Sequence, residues 1–445
     1  MTQAPALPKA GPKRHDREIL ALAVPAFGSL VAEPLFVMAD SAIVGHLGTP
    51  QLAGLGIAAA LLTTGVSVFV FLAYATTAAV ARRVGAGDLQ AAIRQGMDGI
   101  WLALMLGALV VVALLSSAPW LVSAFGASDT AAPYALTYLR ISALGLPAML
   151  VVLAATGVLR GLQDTRTPLY VAIGGFAANT VLNLALVYGA GLGIAGSAWG
   201  TVLAQWAMAA VYLIVVVRGA RRHGASLRPD PAGIRACAQT SAPLLVRTLS
   251  LRAALMLATA VAARLGDTDI AAHQILIALW SLLAFSLDAI AIAGQSIIGR
   301  YLGAGDAEGA RAVGRRMVQW GIGAGAVLGL LVIVTRPLFI PLFTSDPAVE
   351  AALLPALLVL AISQPIAGVV FVLDGVLIGA GDGPYLAKAM LVTLAVFAPA
   401  ALLVPALGGG LTMLWWAMTL MMLVRMVTLQ LRARSGLWLV TGATR

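Results

Sequence analysis

Residues 85–88 read GAGD, and residues 303–306 read GAGD again, 218 positions further along the chain. Other landmarks repeat at the same spacing. They are Gly157-Val-Leu and Gly375-Val-Leu, Asp164 and Asp382, Pro25 and Pro243, Leu47-Gly48 and Leu265-Gly266, Pro119 and Pro337, and Pro147 and Pro365. One offset that recurs over most of a chain indicates two halves that repeat the same fold.

The composition is that of an integral membrane protein. Of the 445 residues, 61% are hydrophobic and 10% are charged, whereas soluble domains carry roughly 25% charged residues. Apolar runs long enough to cross a hydrocarbon core of about 30 Å recur along the chain. Twelve spans are predicted, at about 18–46, 52–80, 92–118, 131–160, 168–189, 194–217, 236–264, 270–299, 312–335, 348–379, 385–405 and 411–431. The predicted fold class is an all-α integral membrane protein, with six transmembrane helices in each half.

Lysine and arginine residues cluster in alternate loops, for example at Arg82-Arg83, Arg221-Arg222 and Arg315-Arg316. By the positive-inside rule, both termini are therefore predicted to be cytoplasmic, in the plasma membrane. An even number of spans per half gives both halves the same orientation, related by an axis along the membrane normal. The predicted domains are a cytoplasmic tail (1–17), an N-lobe (18–217), a cytoplasmic linker (218–235), a C-lobe (236–434) and a second cytoplasmic tail (435–445).

Several function classes are disfavoured. The net charge of +10 comes from residues at helix ends and not from an aromatic-interleaved basic patch, so no nucleic-acid partner is expected. The single cysteine, Cys237, excludes an intramolecular disulfide and a cysteine-built metal site within one chain. The histidines are scattered and hydrolase or nucleotide motifs are missing, so an enzyme is disfavoured. No cofactor is expected, and the GAGD turns are predicted to be helix caps.

Four stretches together resemble the multidrug and toxic compound extrusion (MATE) transporters, and within them the bacterial DinF-like branch. They are MADSAIVGHLGTPQLAGLGI (38–57), GVLRGLQDTRTPL (157–169), NTVLNLALVYGAGLGIAGSAWGT (179–201) and AGQSIIGRYLGAGD (293–306). The resemblance implies two six-helix lobes around a central cavity. It also implies export of organic cations and other amphipathic compounds, driven by inward movement of protons or sodium ions.

Two carboxylates, Glu33 and Asp40, lie in the first span, about 10 Å apart along one helix face. A carboxylate within the membrane is a functional candidate by default, because it is costly to bury among lipids. Asp40 matches the acid that DinF-like members are thought to protonate, and Glu33 has no such support. The alternative for both is a structural hydrogen bond.

Asn179 and Asn183 lie four residues apart on the fifth span and share a face, so they are predicted to join Asp40 in an ion-coupling site. Archaeal members of the resembled branch carry an aspartate where this chain has Asn183, which puts a two-carboxylate site in doubt. The coupling ion is predicted to be a proton, with sodium at Asp40 as the alternative. A helix-packing role for both asparagines also remains open.

The second half has Ala258 where the repeat places the counterpart of Asp40. It has its own acids, Asp288 and Asp374, which are predicted to contribute to substrate binding. Asp374 lies in a stretch, VLDGVLIG, that resembles the acidic site of other MATE branches. The alternative is a neutralised structural network with Arg247 and Arg252.

Two prolines in the first span, Pro25 and Pro34, are predicted to let that helix bend, with a static kink as the alternative. An adaptable cavity wall is predicted from aromatic and methionine side chains, although such residues also serve as core filler. These are Phe36, Met38, Tyr138, Met149, Trp206 and Met256.

The predicted function is a secondary antiporter that exports small amphipathic or cationic compounds by alternating access. The expected partners are the lipid bilayer and these small molecules, and a monomer is expected. One rival is a lipid-linked oligosaccharide flippase of the same superfamily, for which Arg140, Arg247 and Arg252 offer cationic groups to a pyrophosphate. A membrane enzyme or receptor is the rival from another class.

Overall fold

The structure, a computed structural model, describes residues 12–444 and all of their side chains except those of Pro12, Lys13 and Glu33. Every regular element in this part of the chain is helical. The helices are α1 (Pro12–Gly45), α2 (Thr49–Val68), α3 (Phe71–Gly85), α4 (Leu89–Ala124), α5 (Ala132–Ala143), α6 (Leu146–Gly161), α7 (Arg166–Leu184), α8 (Gly193–Arg222), α9 (Pro231–Leu265), α10 (Asp267–Gly303), α11 (Ala307–Phe343), α12 (Pro347–Gly379), α13 (Gly383–Ala406) and α14 (Leu411–Ser435). A π-helical turn, Ala185–Gly189, continues α7.

The described residues contain eleven helices that are long and apolar enough to cross a membrane, and a twelfth span if one bent pair is counted. One of the eleven is Thr49–Gly85, which consists of α2 and α3. The bent pair is α5 and α6, whose axes differ by 49°. The predicted all-α membrane fold is confirmed, and the sequence analysis missed two interruptions, the bend within the fourth span and the short break at Phe69 and Val70 within the second.

The repeat is visible in how the helices pack. A Cβ atom added at Gly157 would lie 2.6 Å from the carbonyl oxygen of Ala73, and one added at Gly375 would lie 2.4 Å from that of Ala291. The two pairs are related by the 218-residue offset. Glycine at these positions therefore allows the same close approach twice, between α3 and α6 and between α10 and α12.

Both GAGD turns are helix caps, as predicted. The Asp88 carboxylate accepts from the backbone nitrogen of Ala91 at 2.8 Å at the start of α4. The Asp306 carboxylate accepts from that of Gly309 at 2.7 Å at the start of α11. The glycine before each aspartate has a φ of 81°, which a residue with a side chain rarely adopts.

The chain forms two compact units. The N-terminal unit is Gly28–Ser241, and the C-terminal unit comprises the described residues up to Phe27 and from Ala242 onwards. Helices α1 and α9 therefore each contribute residues to both units, near Pro25 and Pro243 of the repeat. The first border lies ten residues inside the predicted N-lobe, and the second lies six residues inside the predicted C-lobe.

The start of α1 is helical, although residues up to 17 were predicted as a tail. Within the C-terminal unit, the Asp16 carboxylate accepts two hydrogen bonds from Arg316, at 2.7 and 2.8 Å, and one from the Trp320 indole at 2.7 Å. Glu18 forms an ion pair with Arg300. These charged partners hold the first turns in helical form, and the rest of the predicted tail lies outside the described residues.

The second predicted tail also folds back. The Trp438 side chain is buried, and the backbone nitrogen of Gly442 donates to the carbonyl oxygen of Leu302 at 3.0 Å. In the linker, helices α8 and α9 leave only residues 223–230 outside regular structure. There, the Arg94 guanidinium lowers the pKa of the Asp230 carboxyl, from which it lies 3.1 Å away.

Candidate functional site

The Asp40 carboxylate lies five residues before the end of α1 and is 5% exposed. Three side chains donate hydrogen bonds to it, all from the N-terminal unit. The Tyr138 hydroxyl donates to Oδ2 at 2.8 Å, while the Asn183 amide and the Ser197 hydroxyl each donate to Oδ1 at 2.6 Å. These three donors are uncharged, so the carboxylate is solvated by dipoles.

A chain of amides continues from the carboxylate. Asn183 Nδ2 also donates to Asn179 Oδ1 at 3.2 Å, and Asn179 Nδ2 donates to Thr201 Oγ1 at 3.1 Å. The remaining oxygen, Asn183 Oδ1, is buried without a hydrogen-bond partner among the described residues. It faces Gly200, where an added Cβ would lie only 2.0 Å away.

Helical periodicity brings these side chains together. Asn179 and Asn183 are one turn apart on α7, and Ser197 and Thr201 are one turn apart on α8, so each pair presents two polar groups on one face. The π-helical turn follows at the end of α7, and such turns are frequent at functional sites. From this turn, the Tyr188 hydroxyl donates to the carbonyl oxygen of Ile43 at 2.6 Å, which ties the turn to the end of α1.

The break between α5 and α6 adjoins the site. Tyr138 is on α5, and the break leaves the carbonyl oxygen of Leu144 without a helical partner. The Trp206 indole donates to this oxygen at 3.1 Å. Trp206 was predicted to line a cavity. In the structure, its indole nitrogen supplies the hydrogen bond that the Leu144 carbonyl oxygen lacks at the break. Tyr138 had the same prediction, and its hydroxyl contacts the proposed coupling acid directly.

The other predicted members of this site have different outcomes. The side chain of Glu33 lies outside the described residues. Pro25 and Pro34 lie within the continuous helix α1, and bending at either proline stays a prediction. Phe36 and Met149 are half-buried, whereas Met38 and Met256 are 68% and 67% exposed. A cavity formed by these side chains also stays a prediction.

Ser197 and Thr201 were not selected from the sequence, although both lie in the quoted stretch 179–201. Their i, i+4 spacing just after the asparagine pair was the available signal. Hydroxyl side chains in membrane helices often bond only to their own backbone, so the spacing alone does not identify a partner.

The acid of the C-terminal unit is in an ion-paired cluster. The Asp374 carboxylate accepts from Arg247 Nε at 3.3 Å, and both Arg247 and Arg425 form ion pairs with its Oδ2. The Arg247 partnership was an alternative in the sequence analysis. Arg425 was missed, although an arginine inside the apolar run MMLVRMV was a clear signal. Asp288 is half-buried on α10, and its role stays a prediction.

The family model described as MatE matches residues 25–185 and 243–403, two segments that are again 218 residues apart. The chain belongs to the MatE family. Protein DETOXIFICATION 44, chloroplastic, of Arabidopsis thaliana is 32% identical over 97% of this chain and 85% of its own length. DNA damage-inducible protein F of Escherichia coli K12 is 29% identical over 95% of this chain and 94% of its own length.

Solved structures of MatE-family proteins have the same fold. An outward-facing multidrug resistance transporter matches with a TM-score of 0.86 at 20% identity over 98% of both chains. A Vibrio cholerae MATE transporter in the bent form matches with a TM-score of 0.86 at 22% identity, covering 96% of this chain and 98% of its own. As a member of the MatE family, the chain is a multi-pass membrane transporter of a multidrug efflux family, and not an enzyme.

Proposed function

We propose that this protein is a proton-coupled antiporter that exports small amphipathic or cationic compounds by alternating access. The observation that supports this most directly is the Asp40 carboxylate, buried on a membrane helix among three uncharged donors. A carboxylate without a bonded cation can gain and lose a proton without first breaking an ion pair. Proton exchange at Asp40 is therefore the coupling step that we propose.

The amide chain offers a second hydrogen-bond arrangement for the protonated acid. When Asp40 is ionised, Asn183 Nδ2 donates to both Asp40 and Asn179. When Asp40 carries a proton, its O–H needs an acceptor, and rotating the Asn183 amide by half a turn supplies Oδ1. Asn179 then rotates as well, donating to Asn183 and accepting from the Thr201 hydroxyl. Each charge state of Asp40 thus has its own pairing of donors and acceptors along the chain from Asp40 to Thr201.

A sodium ion is the alternative coupling ion. Hard cations in proteins are bound by several oxygen atoms. Here Asn183 directs its nitrogen at Asp40 and keeps its oxygen on the other side, towards Gly200. A sodium ion would need the same rotation of Asn183 and would have one carboxylate charge, that of Asp40, to offset the loss of its hydration, so we favour the proton.

Replacement of Asn183 by leucine tests the amide chain. The variant keeps a similar volume but removes two donated bonds, each worth about 1 kcal/mol or more for buried groups. We expect efflux of the fluorescent cation ethidium from whole cells to fall about tenfold or more. Thr180→Val on the same helix is the matched control, because the Thr180 hydroxyl bonds only within α7. Equal export by both variants would exclude Asn183 from the mechanism.

The protein is proposed to lie in the plasma membrane with both termini in the cytoplasm. Cysteine labelling tests this orientation. Single cysteines are introduced into a Cys237→Ser background at exposed positions: Ala190, Leu407 and His223. A membrane-impermeant maleimide should label the first two from outside intact cells, and His223→Cys only after permeabilisation. External labelling of His223→Cys would reverse the proposed topology.

A further inference from the structure

The N-terminal unit contains a buried carboxylate that the proposed coupling step does not use. Asp98 lies on α4, is 5% exposed, and has no hydrogen bond or ion pair with the other described residues. Its carboxylate packs against α9, where a Cβ atom added at Gly233 would lie 2.3 Å from Oδ2 and 3.2 Å from Oδ1. Buried polar groups normally have hydrogen-bond partners, so an unpartnered acid here marks a candidate functional group.

The arginines near this acid have other partners. Among the described residues, the charged groups that face Asp98 are Arg94, Arg83 and Asp230. Arg94 forms an ion pair with Asp230 at 3.1 Å, and Arg83 Nε donates to Gln95 Oε1 at 3.0 Å. Asp230 also adds a second negative charge near the acid. The Asp98 carboxylate is therefore not neutralised by a bonded cation.

The backbone at the start of α9 offers this carboxylate no free donor. The first residue of the helix, Pro231, has no N–H group. The backbone nitrogens of Ala232 and Ile234 donate to Oδ1 and to the carbonyl oxygen of Asp230, at 3.1 and 2.8 Å. The Gly233 nitrogen also interacts with the Asp230 carboxylate. The N–H groups that usually stabilise an anion at a helix start are thus already used.

An ionised carboxylate is costly in this position, because it is withdrawn from water, has no donor and lies near a second carboxylate. Binding a cation removes that cost. A metal ion needs several oxygen ligands around it, and the close contact with Gly233 leaves no room for them between α4 and α9. A proton needs no such room, so it is the cation that this packing accepts.

We propose that Asp98 binds a proton while the start of α9 (residues 231–241) is packed against α4, and releases the proton when the two helices separate. Asp98 is then a second proton site besides Asp40, on the side of the membrane proposed to be cytoplasmic. The inference rests on the antiport function proposed above and gives it a regulation. Acid on the cytoplasmic side favours the packed arrangement of the two helices, and alkali favours the separated one.

The native Cys237, a further titratable neighbour of Asp98, reports on this packing. Its thiol is buried on α9, and a Cβ added at Gly99 of α4 would lie 3.9 Å from the sulfur. Full-length protein in neutral detergent is treated with the thiol reagent dithiodipyridine from acidic to alkaline pH. Asp98→Asn, which has the shape of the neutral acid, should react as the wild type does at acidic pH. At alkaline pH we expect the wild type to react about tenfold faster, because local opening exposes the thiol.

The comparison at each pH removes the titration of the thiol itself, which both proteins share. A negative charge beside a thiol slows its reaction, so a faster wild type has to come from separation of the helices. Asp129→Asn is the matched control, because Asp129 is an exposed acid of the same unit, and it should behave as the wild type. Equal rates for wild type and Asp98→Asn at alkaline pH would overturn the proposed release.

Infrared spectroscopy detects the proton directly, since a protonated carboxyl gives a C=O band that an ionised one lacks. In an Asp40→Asn background at neutral pH, adding Asp98→Asn should remove such a band. Adding Gly233→Ala should remove it too, because the new Cβ displaces the carboxyl group towards water, and acidic pH should restore it. Gly219→Ala is the control that keeps the band, since its Cβ would meet only Ile93, at 4.0 Å. A band unchanged by Asp98→Asn would overturn the proposal.

Gradient-driven ethidium export by the wild type is measured in parallel, so that the two proposals fail separately. Export by a protein that lacks the Asp98 band and the pH-dependent thiol reaction contradicts the second proton site alone. Both signals in a protein that exports nothing under any gradient contradict the antiport function instead.

Discussion

Replacement of Asp40 by asparagine is expected to abolish gradient-driven export while leaving a folded protein in the membrane. Asparagine has nearly the same shape and cannot bind or release a proton in the physiological range. Its Oδ1 can accept from Asn183 and Ser197, and its Nδ2 can donate to the Tyr138 hydroxyl, which accepts as well as donates. The buried cluster therefore keeps its hydrogen bonds, and only the titration is lost.

The measurement is ethidium efflux from energised cells, with the amount of protein in the membrane determined for each variant. Asp129→Asn is the matched control, because Asp129 is an exposed acid between α4 and α5 of the same unit. We expect efflux at background level for Asp40→Asn and at the wild-type level for the control. Undiminished efflux by well-expressed Asp40→Asn protein would remove Asp40 from the coupling step and direct attention to Glu33.

Replacement of Gly200 by alanine is expected to have the second largest effect on export, although it adds only one methyl group. The new Cβ would lie 2.0 Å from Asn183 Oδ1 and 3.1 Å from the Asn183 backbone nitrogen. The side chain of Asn183 has to move, and its bonds to Asp40 and Asn179 are lost with it. Because two buried hydrogen bonds are broken, we expect export to fall by about tenfold to a hundredfold.

Gly174→Ala on α7 is the comparison, since nothing lies within 4 Å of an added Cβ there. Alanine favours a helix over glycine by about 1 kcal/mol, so this variant should export normally and be at least as stable as the wild type. Both variants are compared by ethidium efflux and by unfolding midpoint. Wild-type export by Gly200→Ala would mean that Asn183 need not occupy its present position.

The fold was predictable because membrane thickness fixes the length of each apolar run and the repeat supplies a second, independent count. The seventh predicted span, 236–264, lies within α9 (Pro231–Leu265), and the helix extends beyond the prediction by five residues at its polar start and by one at its end. The break between α5 and α6 was not predicted. A hydropathy pattern is the same for a straight and a bent span, and Gly145 and Pro147 were the local signals.

The charged residue and the two amide residues of the candidate site could be predicted from the sequence. Asp40, Asn179 and Asn183 are unusual in a membrane helix and were selected for that reason. Serine and threonine are common in membrane helices, so Ser197 and Thr201 did not stand out in the sequence. They belong to the site because α8 packs against α7, and the sequence of one helix does not show this packing. The partner of Asp374 could not be predicted for the same reason, because Arg425 lies on another helix, 51 positions further along the chain.

Proton movement in proteoliposomes tests the coupling most directly. Purified protein is reconstituted without sodium, a gradient of ethidium is imposed across the membrane, and the pH on the side that ethidium enters is followed with a dye. An antiporter coupled through Asp40 must move protons against the flow of ethidium, so the side that ethidium enters should become alkaline with wild-type protein and stay unchanged with Asp40→Asn. Ethidium flux without any pH change in the wild type, or an equal pH change in the variant, would contradict the account.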